Sequence, residues 1–100
     1  MNAAQRKQLS AICKTISMTK SELETLLSAF EDIKSDIESL RDEEQEKFDN
    51  MPESFQNGEK GDRLTQAVNE LDEAINELDD LGEVADKIDS IVAHLDAASE

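Results

Sequence analysis

Apolar residues recur at alternating steps of three and four along the first half of the chain. The a and d positions of this heptad pattern are apolar at nine of ten places: Leu9, Ile12, Ile16, Thr19, Leu23, Leu26, Phe30, Ile33, Ile37 and Leu40. This spacing puts the side chains on one side of an α-helix. Thr19 is the polar position, and capping-box patterns begin at Thr19 and Ser21. The pattern predicts a first helix over about residues 3–48, which either continues through Thr19 or restarts there; one helix is favoured.

A second heptad pattern occupies the C-terminal part of the chain. It consists of Leu64, Val68, Leu71, Ile75 and Leu78, and its phase slips at Leu81-Gly82 before it resumes as Val84, Ile88, Ile91, Leu95 and Ala98. A glycine at a phase change either kinks a helix or ends it. The sequence therefore predicts a second arm over about residues 63–98, with a kink near Gly82 or a break there that gives a third helix.

Residues 49–62 read as a connector between the two arms. Pro52 and the pairs Asn57-Gly58 and Lys60-Gly61 favour turns. Asp62 is a suitable N-cap for the helix that follows. Three bulky apolar residues, Phe48, Met51 and Phe55, are expected to pack at this closed end.

The charges beside the two patterns predict how the arms pair. Lys34 and Arg41 occupy e positions of the first pattern, and Asp72 and Asp79 occupy e positions of the second. In an antiparallel coiled coil e positions face e positions, so Lys34 should meet Asp79 and Arg41 should meet Asp72. This register centres the turn in the connector. The predicted fold class is all-α, a single domain formed by an antiparallel helical hairpin or coiled coil.

The same register makes two further predictions. It faces Ile37 with Leu78 and Leu40 with Ile75. It also brings Lys20 close to Leu95, which would leave residues 1–14 overhanging the C-terminus. An overhanging apolar stripe at Leu9, Ile12 and Ile16 would invite a second copy of the chain or another helix.

Charge is distributed unevenly along the sequence. The formal net charge is −15, yet residues 1–20 hold four basic and no acidic residues, so the other eighty carry −19. A surface of this sign repels nucleic acid and anionic membranes and attracts basic protein surfaces. Forty helical residues extend about 60 Å. The 25 carboxylates then give roughly one charge per 2.4 Å, against about 1.7 Å for duplex DNA.

Residue types that carry catalysis are scarce. His94 is the one histidine and Cys13 the one cysteine, and the three glycines form no phosphate-binding loop. The acidic segments lack the spacing of a calcium loop. We therefore expect a protein that is not an enzyme, with no cofactor and no metal. His94 is expected on the surface and Cys13 among apolar side chains. The sequence has no apolar run long enough for a signal peptide or a membrane span, which predicts a cytoplasmic protein.

The stretch LRDEEQEKFDNMPESFQ over residues 40–56, together with NELDEAI over residues 69–75, resembles a group of small acidic proteins found in bacteriophage and prophage genomes. The shared feature is the proline-containing connector between acidic helices, and it covers about the middle half of the chain. The group has no assigned activity. The resemblance implies a phage origin, and small acidic phage proteins often block host enzymes that act on DNA.

Two functional hypotheses follow. In the first, the chain inhibits a host nuclease, repair or defence complex as a DNA mimic, by occupying its basic nucleic-acid-binding surface without binding nucleic acid or membrane itself. The partner-binding residues are then expected on the outer faces of both arms: Asp36, Asp42, Glu43, Glu44, Glu46, Glu70, Glu73, Glu77 and Asp80. In the second, the chain is a coiled-coil assembly module that forms a homodimer, or docks to a partner helix, through Leu9, Ile12 and Ile16.

Overall fold

The computed structural model describes residues 1–100, of which 89% are helical, and contains no strand. Helix α1 spans Ala3–Asp49, α2 Glu53–Gln56, α3 Glu59–Asp80 and α4 Glu83–Ala98. The all-α fold is confirmed, with long antiparallel helices and a break near Gly82. No helix combines the length and the apolar content that a bilayer span requires.

The chain contains two compact units. The central unit is continuous in sequence and contains Phe30–Asp79. The terminal unit combines Met1–Ala29 with Asp80–Glu100. In each unit a segment of α1 lies antiparallel to a later helix, α3 in the central unit and α4 in the terminal unit.

Ion pairs fix the register of the central unit. Arg41 Nη1 lies 3.0 Å from Asp72 Oδ1, and Lys34 Nζ pairs with Asp79 Oδ1. A hydrogen bond from each cation to its aspartate raises the pKa of the Arg41 guanidinium and of the Lys34 ammonium, although desolvation opposes the rise. Both predicted pairs are confirmed, and because position 34 meets 79 while position 41 meets 72, the helices run antiparallel.

The packed side of α1 differs from the predicted one. The buried and half-buried residues of α1 follow a and e positions: Leu9, Cys13, Ile16, Lys20, Leu23, Leu27, Lys34, Ile37, Glu38, Arg41, Glu44 and Phe48, with Glu38 as the exception. The d positions face solvent, and Leu40 is 52% exposed. Because Leu40 is this exposed, the prediction that it packs in the seam against Ile75 is wrong. Ile75 itself is buried, and Ile37 and Leu78 are half-buried. The e positions of α1 replace the d positions in the seam because Leu27 and Phe48 are apolar and because Lys and Arg stems can cover apolar surface.

The connector holds a short helix and two close contacts. Pro52 begins the turn, and its carbonyl oxygen accepts hydrogen bonds from the backbone N–H groups of Phe55 and Gln56. Gln56 Nε2 then donates to the carbonyl oxygen of Phe48 at 2.9 Å, which also accepts from the N–H of Met51 at the end of α1. Gly61 is buried against the backbone of Gln56.

Two expectations for the connector are wrong. Helix α3 begins at Glu59, and the N–H of Asp62 already donates to the carbonyl oxygen of Gly58. Asp62 therefore lies inside the first turn and is not the N-cap. Phe55 is 53% exposed, whereas Phe48 and Met51 are half-buried. Phe48 and Met51 thus supply the apolar contacts at the closed end, because the turn of α2 directs Phe55 outward.

In the terminal unit both ends of the chain come together. Lys20 Nζ pairs with Asp89 Oδ1, and Arg6 Nε donates to the carbonyl oxygen of Ser99 at 3.1 Å. The hydrogen bond with Asp89 raises the pKa of Lys20. The predicted overhang of residues 1–14 is therefore wrong. The interruption at Leu81 and Gly82 shifts the register of α4, so Lys20 meets Asp89 and not the neighbourhood of Leu95.

Little apolar surface is buried in the chain. Leu9 and Ile75 are the two hydrophobic residues classed as buried, at 8% and 7% exposure, and no side chain is fully buried. Two helices packed along one seam cover only one side of each helix, so each remaining apolar side chain keeps part of its surface in water. Each unit has a half-buried seam and no enclosed core.

Candidate interaction surface

The negative charge of the chain is concentrated in the central unit. This unit has 17 acidic and five basic residues, a net charge of −12, while the terminal unit has eight and five, a net charge of −3. Ion pairs within the central unit already engage four of its five cations, Lys34, Arg41, Lys47 and Arg63. Eleven of its 17 carboxylates take part in no ion pair.

The predicted acidic residues fall into three groups. Asp42 and Glu44 are paired within α1, with Arg41 at 3.2 Å and with Lys47 at 2.7 Å, and Glu44 is half-buried. The hydrogen bond with Glu44 raises the pKa of Lys47. Asp80 belongs to the terminal unit. The remaining six are exposed, unpaired and located in the central unit: Asp36, Glu43, Glu46, Glu70, Glu73 and Glu77.

These six carboxylates lie away from the helix seam. On α3 the seam contains Leu71, Ile75 and Leu78, while Glu70, Glu73 and Glu77 point to solvent. On α1, Asp36, Glu43 and Glu46 are likewise exposed. We call this set of six residues the acidic surface. The arrangement can offer several carboxylates at once to a basic partner and leaves the packing of the helices undisturbed.

The predicted N-terminal stripe is divided in the structure. Leu9 is buried and Ile16 is half-buried against the other helix of the terminal unit, so only Ile12 is open to solvent. Other apolar residues of the terminal unit are more exposed, including Leu26 at 59% and Met18. The sequence reasoning assigned Leu26 to the seam because it occupies a d position. Leu27, an apolar residue at the adjacent e position, is the signal that could have identified Leu26 as exposed.

The remaining chemistry-bearing residues, His94 and Cys13, belong to the terminal unit. His94 is exposed on α4, as expected. Cys13 is half-buried and lines a cavity of about 280 Å³ with Arg6, Leu9 and Asp96 in the terminal unit. No three His, Cys, Asp or Glu side chains are grouped so that they could hold a metal ion.

Comparison with known proteins finds no relative of this chain. No family model matches the chain, and neither a curated protein nor a solved structure shows significant similarity to it.

Proposed function

We propose that this chain is a non-enzymatic, phage-encoded inhibitor whose acidic surface occupies the basic nucleic-acid-binding surface of a host nuclease, repair or defence complex. The observation that carries the proposal is the set of six exposed carboxylates without ion pairs in a unit of net charge −12. A phage origin rests on the resemblance of residues 40–56 and 69–75 to acidic phage proteins.

The spacing of the carboxylates supports the comparison with nucleic acid. Helix α3 has 22 residues and is therefore about 33 Å long. The net charge of −12 of the central unit gives roughly one negative charge per 2.8 Å along this length, against about 1.7 Å for duplex DNA. A groove lined with Lys and Arg would meet negative charge on both, at a somewhat lower linear density on this chain.

The partner cations should gain most from carboxylates that have no other partner. Arg41 and Lys47 compete for Asp42 and Glu44, so these two offer less to an incoming cation. Glu43 and Glu46 on α1 and Glu73 on α3 form no ion pair within the chain. The free energy of binding is spread over many exposed contacts. Each contact therefore contributes little to it, whereas the whole set contributes much.

The experiment compares two variants that each lose four charges. In the first, Glu43, Glu46, Glu73 and Glu77 become Gln. In the control, Glu83→Gln, Asp86→Asn, Asp96→Asn and Glu100→Gln remove the same number of charges from the terminal unit. Immobilised wild-type protein is exposed to bacterial lysate, and the retained proteins are tested for release by added duplex DNA and for loss on each variant.

We expect the retained partner to bind the central-unit variant at least about tenfold more weakly and the control variant nearly as well as wild type. Duplex DNA and salt should both release it, since the contacts are between exposed charges. A partner that remains bound in the presence of DNA and high salt, and that binds both variants equally, would contradict the proposal.

A further inference from the structure

One side of α1 in the terminal unit is almost free of charge. Its c, d and g heptad positions from Ala4 to Ala29 are all exposed, and Glu22 is the one charged residue among the twelve: Ala4, Gln5, Gln8, Ala11, Ile12, Thr15, Met18, Thr19, Glu22, Thr25, Leu26 and Ala29. We call this set the uncharged face. In a chain of net charge −15, a face of this composition is unusual, and depletion of charge is a mark of protein interfaces.

The same positions of α1 in the central unit have the opposite character. Five of the eight residues there are charged: Asp32, Ile33, Asp36, Ser39, Leu40, Glu43, Glu46 and Lys47. Ile33 and Leu40 are exposed apolar residues, as Ile12 and Leu26 are in the terminal unit. They are surrounded by carboxylates, however, so association through them would bring like charges together. Single exposed apolar residues such as Ile33 and Leu40 are common on protein surfaces. The exposed apolar residues of the terminal unit differ because their neighbours on the helix surface are uncharged.

The uncharged face continues onto α4. A shallow groove of about 220 Å³ in the terminal unit is lined by Thr15, Ile16 and Thr19 from α1 and by Ile88 and Ile91 from α4. Ile91 is exposed, and so is Val84 one heptad earlier. The apolar surface is therefore two helices wide, which is the width that a helix pair from another molecule would cover.

The exposed area of the chain bears on how large a contact the uncharged face could make. The chain exposes 7471 Å², whereas a compact monomer of 11.1 kDa exposes about 5,700 Å². The difference is about 1,800 Å² for each chain, and it is shared by two units of equal length. With about half of it on each unit, two terminal units would bury about 1,800 Å² in total, within the range of roughly 1,200–2,000 Å² for a specific interface.

We propose that the uncharged face joins two copies of this chain in an isologous homodimer, in which α1 and α4 of the two terminal units form one helical bundle. The terminal unit buries only Leu9, so a partner that covers its apolar face would stabilise it. A second copy of the chain is present wherever the first is made. Identical uncharged faces meet without repulsion, whereas the central unit, at −12, repels its own copy. The dimer is independent of the proposed inhibitory function, which uses the other unit.

The first test needs no variant. Sedimentation equilibrium should give a mass of about 22 kDa, twice the 11.1 kDa of the chain, at micromolar concentration. Because the contact is apolar, the mass should be unchanged in about 1 M NaCl, where the Debye length is only about 3 Å. A mass of one chain at every concentration would overturn the proposal.

The second test uses two leucines at the same heptad position of the same helix. Leu26→Glu places a charge in the uncharged face, and Leu40→Glu places one in the central unit, where the side chain is similarly exposed. We expect Leu26→Glu to raise the dimer dissociation constant by at least about 100-fold, because a two-fold interface contains the residue twice. Leu40→Glu should leave it within about threefold.

Circular dichroism shows whether each variant retains its helices. If Leu26→Glu fails to fold, Leu26→Gln provides the same comparison without a buried charge, and should raise the constant by about tenfold or more. Equal effects of the Leu26 and Leu40 variants would contradict the assignment of the interface. The variant in which Glu43, Glu46, Glu73 and Glu77 are replaced by Gln should remain a dimer. Loss of partner binding and loss of the dimer are therefore distinguishable outcomes.

Discussion

A Cβ atom on Gly61 would stand 2.0 Å from the carbonyl oxygen of Gln56 and 2.5 Å from its carbonyl carbon. No side chain can be accommodated at that distance, and the obstacle is backbone, which cannot rotate away. Gln56 is itself held by the hydrogen bond from its Nε2 to the carbonyl oxygen of Phe48. The first turn of α3, the turn of α2 and the end of α1 are thus joined through two residues.

Gly61→Ala should destabilise the protein, because the connector must open to admit one methyl group. We expect the free energy of unfolding to fall by about 1–3 kcal/mol, the usual cost of overpacking. This exceeds the gain of about 1 kcal/mol that Ala brings to a helix. Gly58→Ala is the matched control, since a Cβ there would be 3.5 Å from the carbonyl oxygen of Phe55, an ordinary contact. Urea denaturation of both variants measures the difference, and equal stabilities would show that the close approach is not maintained.

Exchange of the charges at positions 41 and 72 tests the register of the central unit. Arg41→Asp or Asp72→Arg alone sets like charges opposite each other and should lower the melting temperature. The double variant restores an opposite pair between the same two helices and should recover part of the loss. If the double variant is as unstable as the two single changes combined, the two residues are not neighbours across the seam.

The lysine pairs predict a loss of stability in alkali. Hydrogen bonds with Asp89 and Asp79 raise the pKa values of Lys20 and Lys34 above their ordinary value of 10.5. A raised pKa in the folded state stabilises it fully below pH 10.5, and this contribution is lost as the pH rises through the folded-state value. The melting temperature should therefore change little up to about pH 10 and fall above it.

A variant with Lys20→Arg and Lys34→Arg is the control for this pH dependence, because guanidinium remains charged throughout the range. It should retain more of its stability above about pH 11 than the wild type does. An identical decline in both proteins would show that general charge repulsion, and not deprotonation of these two lysines, causes the loss.

Two phenylalanines at the connector should respond differently to truncation. Phe48 is half-buried at the end of α1, and Phe48→Ala should lower the free energy of unfolding by about 1–3 kcal/mol. Phe55 is 53% exposed, so Phe55→Ala should change it by only about 0.5 kcal/mol or less. A large loss of stability from Phe55→Ala would mean that its ring packs against the hairpin in solution.

The register of the central unit could be predicted from the sequence, whereas the packed side of α1 could not. Lys34 and Arg41 are long and charged, and their acidic counterparts are spaced at the same interval, so only one antiparallel register satisfies both pairs. A heptad pattern, by contrast, marks a wide apolar side of the helix and does not say which edge of it a single partner helix covers. Leu26 and Leu40 look like seam residues for this reason, and only the contacts of α3 and α4 show that they face water.

The shift of α4 was also beyond prediction. The sequence shows a phase slip at Leu81-Gly82, but the length of a turn sets how far the next helix slides, and a slip in phase does not reveal it. The structure places Lys20 beside Asp89. The acidic surface was largely predictable, since charged residues on the outer side of a helix stay exposed whichever neighbouring helix packs against the other side.

The pairing of Arg6 with Ser99 joins positions 93 residues apart, and this separation sets an order for folding. The central unit is contiguous and needs only a short loop to close, whereas the terminal unit must bring the two ends of the chain together. Loop closure costs more entropy as the loop lengthens, and prior formation of the central hairpin shortens the effective loop. During synthesis, moreover, α4 leaves the ribosome after α1, α2 and α3. The N-terminal half of α1 therefore waits without its partner helix until α4 has been made, and we expect the hairpin of residues 30–79 to form first.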